Sequence, residues 1–227
     1  YLLHGPAGAG KTILGFQFLQ AGLADGDSCL FINLEEDIED LRANAAALGF
    51  DVDGGEFLDL SPDADVFTAD QSYSIFEADE VEQEPVSRAI VERVEGLRPD
   101  RVVVDPITQF RYLTGDEYQF RKQIVGFMRF LKNHDATVLF TGQETEERST
   151  DDLQFISDGT VHLDRDDGGQ YLRVPKFRGS STRGGIHTYR ITDGGIEVYP
   201  ALQPGSGRAD AEQEPVSSGV PGGDALL

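Results

Sequence analysis

Along the first two-thirds of this chain, short apolar runs alternate with stretches in which apolar residues recur every three or four positions. The runs are too short for helices and read as buried strands: Tyr1-Leu2-Leu3, Cys29–Asn33, 57–60, 102–105 and 137–141. Between them the helical period takes over. Ile13, Leu14, Phe16, Phe18, Leu19 and Leu23 mark a helix after the first run, and Ile38, Leu41, Ala45 and Leu48 share one face of a helix over 37–48 that ends at Gly49. Residues 61–80 are acidic and without period. A helix over 86–97 is then stopped by Pro99, and Glu117–Asn133 reads as a long amphipathic helix with Phe120, Ile124, Phe127, Met128 and Leu131 inward. From residue 160 the period changes to two. Segments 160–163, 171–174, 186–191 and 196–199 read as antiparallel strands joined by the glycine turns Asp167-Gly168-Gly169 and Asp193-Gly194-Gly195. The implied architecture is α/β: a mainly parallel sheet with crossover helices, ending in an antiparallel β-meander.

The join between the first strand and the first helix reads Gly5, Pro6, Ala7, Gly8, Ala9, Gly10, Lys11, Thr12. This is G-x-x-x-x-G-K-[ST], the phosphate-binding loop. Small residues let the backbone curl until successive N–H groups face one concavity, and the following helix aims its positive end at the same place. Lys11 then meets the β- and γ-phosphates of a nucleotide, and the Thr12 hydroxyl takes a position on Mg²⁺. A nucleotide site needs a second carboxylate-bearing strand. Arg101-Val-Val-Val-Asp105 supplies it, with Asp105 placed to hold Mg²⁺ through water. Glu35 and Glu36 follow the strand Cys29–Asn33, where one carboxylate could polarise an attacking water; acids at a helix start are equally expected from the helix dipole. Gln143-Glu144, after the strand at 137–141, is either a γ-phosphate sensor or a polar loop.

Composition narrows the setting. The 227 residues carry a net charge of −22, and only four of 19 basic residues are lysine (Lys11, Lys122, Lys132, Lys176). Such a surface fits high salt, where the Debye length falls to about 3 Å at 1 M and self-repulsion is screened. It also lacks a basic stripe with interleaved aromatics, which argues against nucleic acid, an argument that salt adaptation weakens because salt-adapted DNA-binding proteins are acidic as well. A single cysteine, Cys29, excludes an intramolecular disulfide and fits a reducing, cytoplasmic setting. No run of about 18 apolar residues is present to cross a membrane. The chain begins mid-strand, as a fragment would. His4, His134, His162 and His187 are dispersed without zinc-ligand spacing, which leaves Mg²⁺ as the expected metal.

Five stretches carry a resemblance to a known family: FINLEEDIEDLRANAAALG (31–49), RVVVDPITQF (101–110), FISD (155–158), KFRG (176–179) and TDGGIEVYP (192–200). In order and spacing, over residues 1–200, they are similar to the KaiC-like branch of the RecA-type ATPases. The resemblance implies a RecA-like core, catalytic roles for Glu35 and Glu36, and assembly into rings, commonly hexamers, with nucleotide between subunits. It also assigns the K-x-R-G cations Lys176 and Arg178 to the neighbouring subunit's phosphates. Their i, i+2 spacing on an extended segment places both on one side, as a trans-acting cation pair needs, although a solvated basic turn has the same spacing. Where the family's autokinase domain has a Ser-Thr pair, this chain has Gln154-Phe155, which favours plain ATP hydrolysis over self-phosphorylation. Ser217–Leu227 has the form S-x-G-x-x-x-x-D-x-L-L that precedes a KaiC-like domain. Residues 201–216 then read as a linker and 217–227 as the start of a second, truncated domain, or all of it as a disordered tail. Functionally the chain reads as a regulatory, ATP-hydrolysing ring protein that partners itself, with regulatory protein partners not readable from the sequence. The alternatives are a RecA/RadA-type DNA-dependent ATPase and an assembly module in which ATP only joins subunits.

Overall fold

Residues with branched or aromatic side chains on alternating sides build the centre of this molecule. In β4 (Arg101–Asp105) Val102 and Val104 face one layer of helices and Val103 the other, all fully buried. The same division recurs in β2 (Cys29–Asn33), where Leu30 and Ile32 oppose Phe31, and in β1 (Leu2–Gly5), where Leu2 opposes Leu3. Strands buried on both faces have no polar side to turn outward, which is why they read as continuous apolar runs. The computed structural model describes residues 1–61, 85–113, 117–144 and 150–202.

Among these residues a nine-stranded sheet runs in the order β3-β2-β4-β5-β1-β6-β7-β8-β9. The strands β3 (Glu56–Asp59), β2, β4, β5 (Thr137–Gln143), β1 and β6 (Gly159–Asp166) are mutually parallel; β7 (Gly169–Phe177), β8 (His187–Thr192) and β9 (Gly195–Tyr199) continue antiparallel. The expected α/β class, with its mainly parallel sheet and terminal antiparallel strands, is therefore present, and it has the form of a RecA-like core. The alternating segment at 160–163 differs from its reading in one respect. As β6 it pairs parallel with β1 and antiparallel with β7, so the meander is an extension of the central sheet.

Helix α1 (Lys11–Asp25) and α2 (Ile38–Ala47) cover one face, with Phe16, Leu19, Leu41 and Ala45 packed on Phe31 and Val103. The other face is covered by α3 (Pro85–Leu97), α4 (Glu117–Asn133) and α5 (Asp151–Ile156), through Ile90, Val94, Phe120, Phe127 and Leu153. Each large apolar side chain so buried contributes about 1.5–3 kcal/mol. Asp37 caps α2, its Oδ1 accepting from the N–H groups of Glu39 at 2.8 Å and Asp40 at 3.2 Å. The short helix α5 and a 3₁₀ segment at Ile107–Leu113 went unpredicted, since neither is long enough to display a period. The irregular stretch from 62, and from 203 onward the linker and second-domain readings, lie outside the described residues.

Candidate functional site

The chain leaves β1 at Gly5 and enters α1 at Lys11, so residues 5–12 arch over the carboxyl end of the sheet. Its glycines make that path possible, Gly5 and Gly10 most plainly. Gly5 has φ +150°, and a Cβ there would meet the Leu163 carbonyl oxygen at 2.1 Å; Gly10 has φ +91°, with Ile191 Cδ1 at 3.0 Å from a built Cβ. No L side chain occupies either position without moving backbone or core. Ala7 and Gly8 are exposed at the tip while Ala9 is buried. Lys11 curls back, its Nζ donating to the carbonyls of Gly5 at 2.9 Å and Pro6 at 2.8 Å. Burial lowers the Lys11 pKa, and the charges of Asp105, Glu35 and Glu144 oppose that shift.

Asp105, expected to face this loop, does so from the end of β4. It is buried, accepts from the hydroxyls of Thr12 and Thr141, and its pKa is pushed up by burial against those two hydrogen bonds and Lys11. A buried carboxylate beside a threonine hydroxyl is an oxygen donor set suited to a hard divalent cation such as Mg²⁺. Glu35 and Glu36 leave the neighbouring strand, which is tied to β4 where the Leu34 N–H donates to the Asp105 carbonyl at 2.9 Å. Asn33 Nδ2 fixes the turn by donating to the Glu36 carbonyl at 2.6 Å and to Asp59 Oδ1 at 2.9 Å. Both glutamates are exposed, yet the protein around the Glu36 carboxyl raises its pKa, followed by the charges of Asp105, Glu35 and Asp40. Lys11, Thr12, Asp105, Glu35 and Glu36 thus gather at the ends of three parallel strands.

Lys176 and Arg178 are not there. Lys176 pairs with Thr160, which in turn pairs with Leu2 at the start of β1, whereas the phosphate loop leaves the other end of that strand. Lys176 Nζ donates to the carbonyls of Gln154 at 2.6 Å and Phe155 at 3.2 Å, and Arg178 pairs with Asp158 Oδ1 at 3.1 Å. The two cations are together, at the amino end of the parallel strands and so at the opposite end of the sheet from their own phosphate loop.

Three contributions were not legible beforehand. Tyr189 of β8 donates from its hydroxyl to the Ala9 carbonyl at 2.6 Å, and Gln17 of α1 bonds both the N–H (3.0 Å) and carbonyl (3.3 Å) of Ile196. The meander therefore braces the loop. Glu144, read as a possible phosphate sensor, directs its carboxylate to His4 Nδ1 at 2.5 Å and accepts from Thr150 at 2.9 Å. His4 and His162, remote in sequence, come together beside it. Among the described residues no helix is long and apolar enough to cross a membrane.

Compared with known proteins, the family model described as "ATPase: KaiC" matches residues 1–203. A UPF0273 protein of Pyrococcus horikoshii is 31% identical over 213 residues, covering 88% of this chain and 85% of the relative. A UPF0273 protein of Thermotoga maritima is 30% identical over 223 residues, covering 91% and 89%. The circadian clock oscillator protein KaiC of Synechococcus elongatus is 29% identical over 218 residues; the match takes in 88% of this chain but 40% of that protein.

Proposed function

The chain belongs to the KaiC-type ATPase family, and on that premise we propose that it binds ATP with Mg²⁺ and hydrolyses it. The observation that carries this reading is the convergence of Lys11, Thr12, Asp105, Glu35 and Glu36 at the carboxyl ends of β1, β2 and β4. The loop N–H groups and Lys11 hold the β- and γ-phosphates, while Thr12 and Asp105 hold the cation, Asp105 through water. Mg²⁺ supplies charge neutralisation on the phosphate oxygens. Glu36, whose pKa is raised by burial and then by the charges of Asp105, Glu35 and Asp40, is the residue of the pair to which we assign the base.

The reading extends to a ring, commonly a hexamer in the family resembled, in which Lys176 and Arg178 reach the next subunit's nucleotide. Two features support it. These cations stand too far around the sheet to serve their own loop, and Phe155 and Phe177 beside them are 72% and 40% exposed, as an interface would require. The Arg178–Asp158 pair is itself exposed, so releasing it costs no more than about 1 kcal/mol. The biological role is regulatory rather than self-phosphorylating.

Measured turnover and nucleotide affinity test the core of this proposal. Lys11→Ala should abolish detectable ATP binding, and Glu36→Gln should retain binding while lowering turnover roughly 100-fold. Unchanged affinity in the first variant would reduce residues 5–12 to a turn. Equal turnover in wild type and the second would move the base to Glu35, and an absence of turnover in the wild type would leave ATP as a subunit adhesive.

A further inference from the structure

We propose that His4, Glu144 and His162 form a binding site for a divalent transition-metal ion of the zinc class, directly beneath the phosphate loop. One potential ligand atom from each lies within 4.8 Å of the others. The fold creates this grouping. His4 and His162 are in register on adjacent parallel strands β1 and β6 and so project to the same face, while Glu144 arrives from the end of β5 with its N–H on the Gly5 carbonyl at 3.4 Å. Gly142 sits in register on the other side of His4, and a Cβ there would press on Thr150 at 3.2 Å and Leu2 at 3.4 Å.

A second observation is independent of the spacing. His4 is 2% exposed, its Nδ1 faces the Glu144 carboxylate, and its Nε2 is buried with no hydrogen-bond partner. With Nδ1 carrying the proton toward Glu144, Nε2 presents a buried lone pair with nothing to receive it. The His162 ring meets that of His4 edge-on, centroids 4.4 Å apart, which makes two imidazolium charges at this place unfavourable. A metal ion can take one lone pair from His4 and one from His162: bound through His4 Nε2 it fills the unpartnered position and leaves the Nδ1–H on the Glu144 carboxylate, and bound through Nδ1 it displaces that proton to Nε2. Tetrahedral geometry sets ligand atoms about 3.4 Å apart, so side-chain rotation of about an ångström completes the site.

Two nitrogens and one carboxylate suit zinc and its neighbours and are poor ligands for Mg²⁺, which separates this site from the one at Thr12 and Asp105. None of the three residues belongs to the phosphate loop, so the site stands whether or not the chain hydrolyses ATP. An ion here would lock the exits of β1 and β5 together at the base of residues 5–12.

The test uses the full chain, stripped with chelator and free of nucleotide, titrated with Zn²⁺ in competition with a chromophoric chelator and with Co²⁺ as a spectroscopic probe. The expected result is one tight ion per chain that millimolar Mg²⁺ does not displace. The Co²⁺ complex should show the intense visible bands of a four- or five-coordinate ion. His162→Ala should lose at least about tenfold in affinity and the visible bands. Glu144→Gln, which preserves volume and the Thr150 contact, should weaken binding in the same direction and covers the case of a misfolded His162 variant. Equal Zn²⁺ affinity in wild type and in either folded variant, or a Co²⁺ spectrum of the hydrated octahedral ion, overturns the proposal and leaves a hydrogen-bonded polar cluster.

Discussion

Removing one oxygen atom from Tyr189 tests whether the terminal meander holds the phosphate loop in shape. Tyr189 is 2% exposed, and its hydroxyl donates to the Ala9 carbonyl at 2.6 Å. Tyr189→Phe keeps the ring and its packing against the core, so no cavity opens. What is lost is one buried hydrogen bond, and what remains is a buried carbonyl without it. Together these cost about 1–3 kcal/mol. If the cost falls on the whole native state, the urea midpoint drops with an unchanged slope. If instead the loop relaxes into other conformers, nucleotide must reselect the competent one. The same energy then appears as a Kd weakened about five- to 150-fold, at 1.36 kcal/mol per tenfold. Urea denaturation and calorimetric titration with ATP, run on wild type and variant, separate the two and together should recover the full cost. A stability change below about 0.5 kcal/mol with an unchanged Kd would show that the contact does not constrain the loop.

Two further outcomes follow from the site. Because the Glu36 pKa is raised and a general base acts deprotonated, kcat should fall on the acid side at a pH above the ordinary glutamate value of 4.5. That limb should vanish from the residual activity of Glu36→Gln, and an identical limb in both proteins would assign it elsewhere. Arg178→Ala should leave ATP binding intact while lowering turnover. Mixed with Lys11→Ala protein it should recover activity, because a ring can pair one subunit's intact loop with another's intact arginine; no recovery in rings proven to exchange subunits would end the trans-acting role.

The periods of the apolar residues carried most of the architecture. A strand buried on both faces has to be apolar throughout, and a helix on a sheet has to be apolar on one stripe, so β2, β4, α2 and α4 were legible with nearly their final bounds. The phosphate loop was legible for a related reason: backbone that must curl around phosphates tolerates little but glycine and alanine, and that demand is local. Strand order was not, because sequence records which residues are buried but not which strand lies beside which. Only the folded sheet sets β1 between β5 and β6, and three consequences depend on it. It brings Asp105 to Thr12 across 93 positions, turns Tyr189 onto Ala9, and sets Lys176 and Arg178 at the end of the strands away from their own loop. The grouping of His4, Glu144 and His162 has the same origin. Metal-ligand spacing is visible in sequence when ligands share one turn or one helix; here parallel register sets His4 beside His162, and Glu144 joins them from the loop after β5.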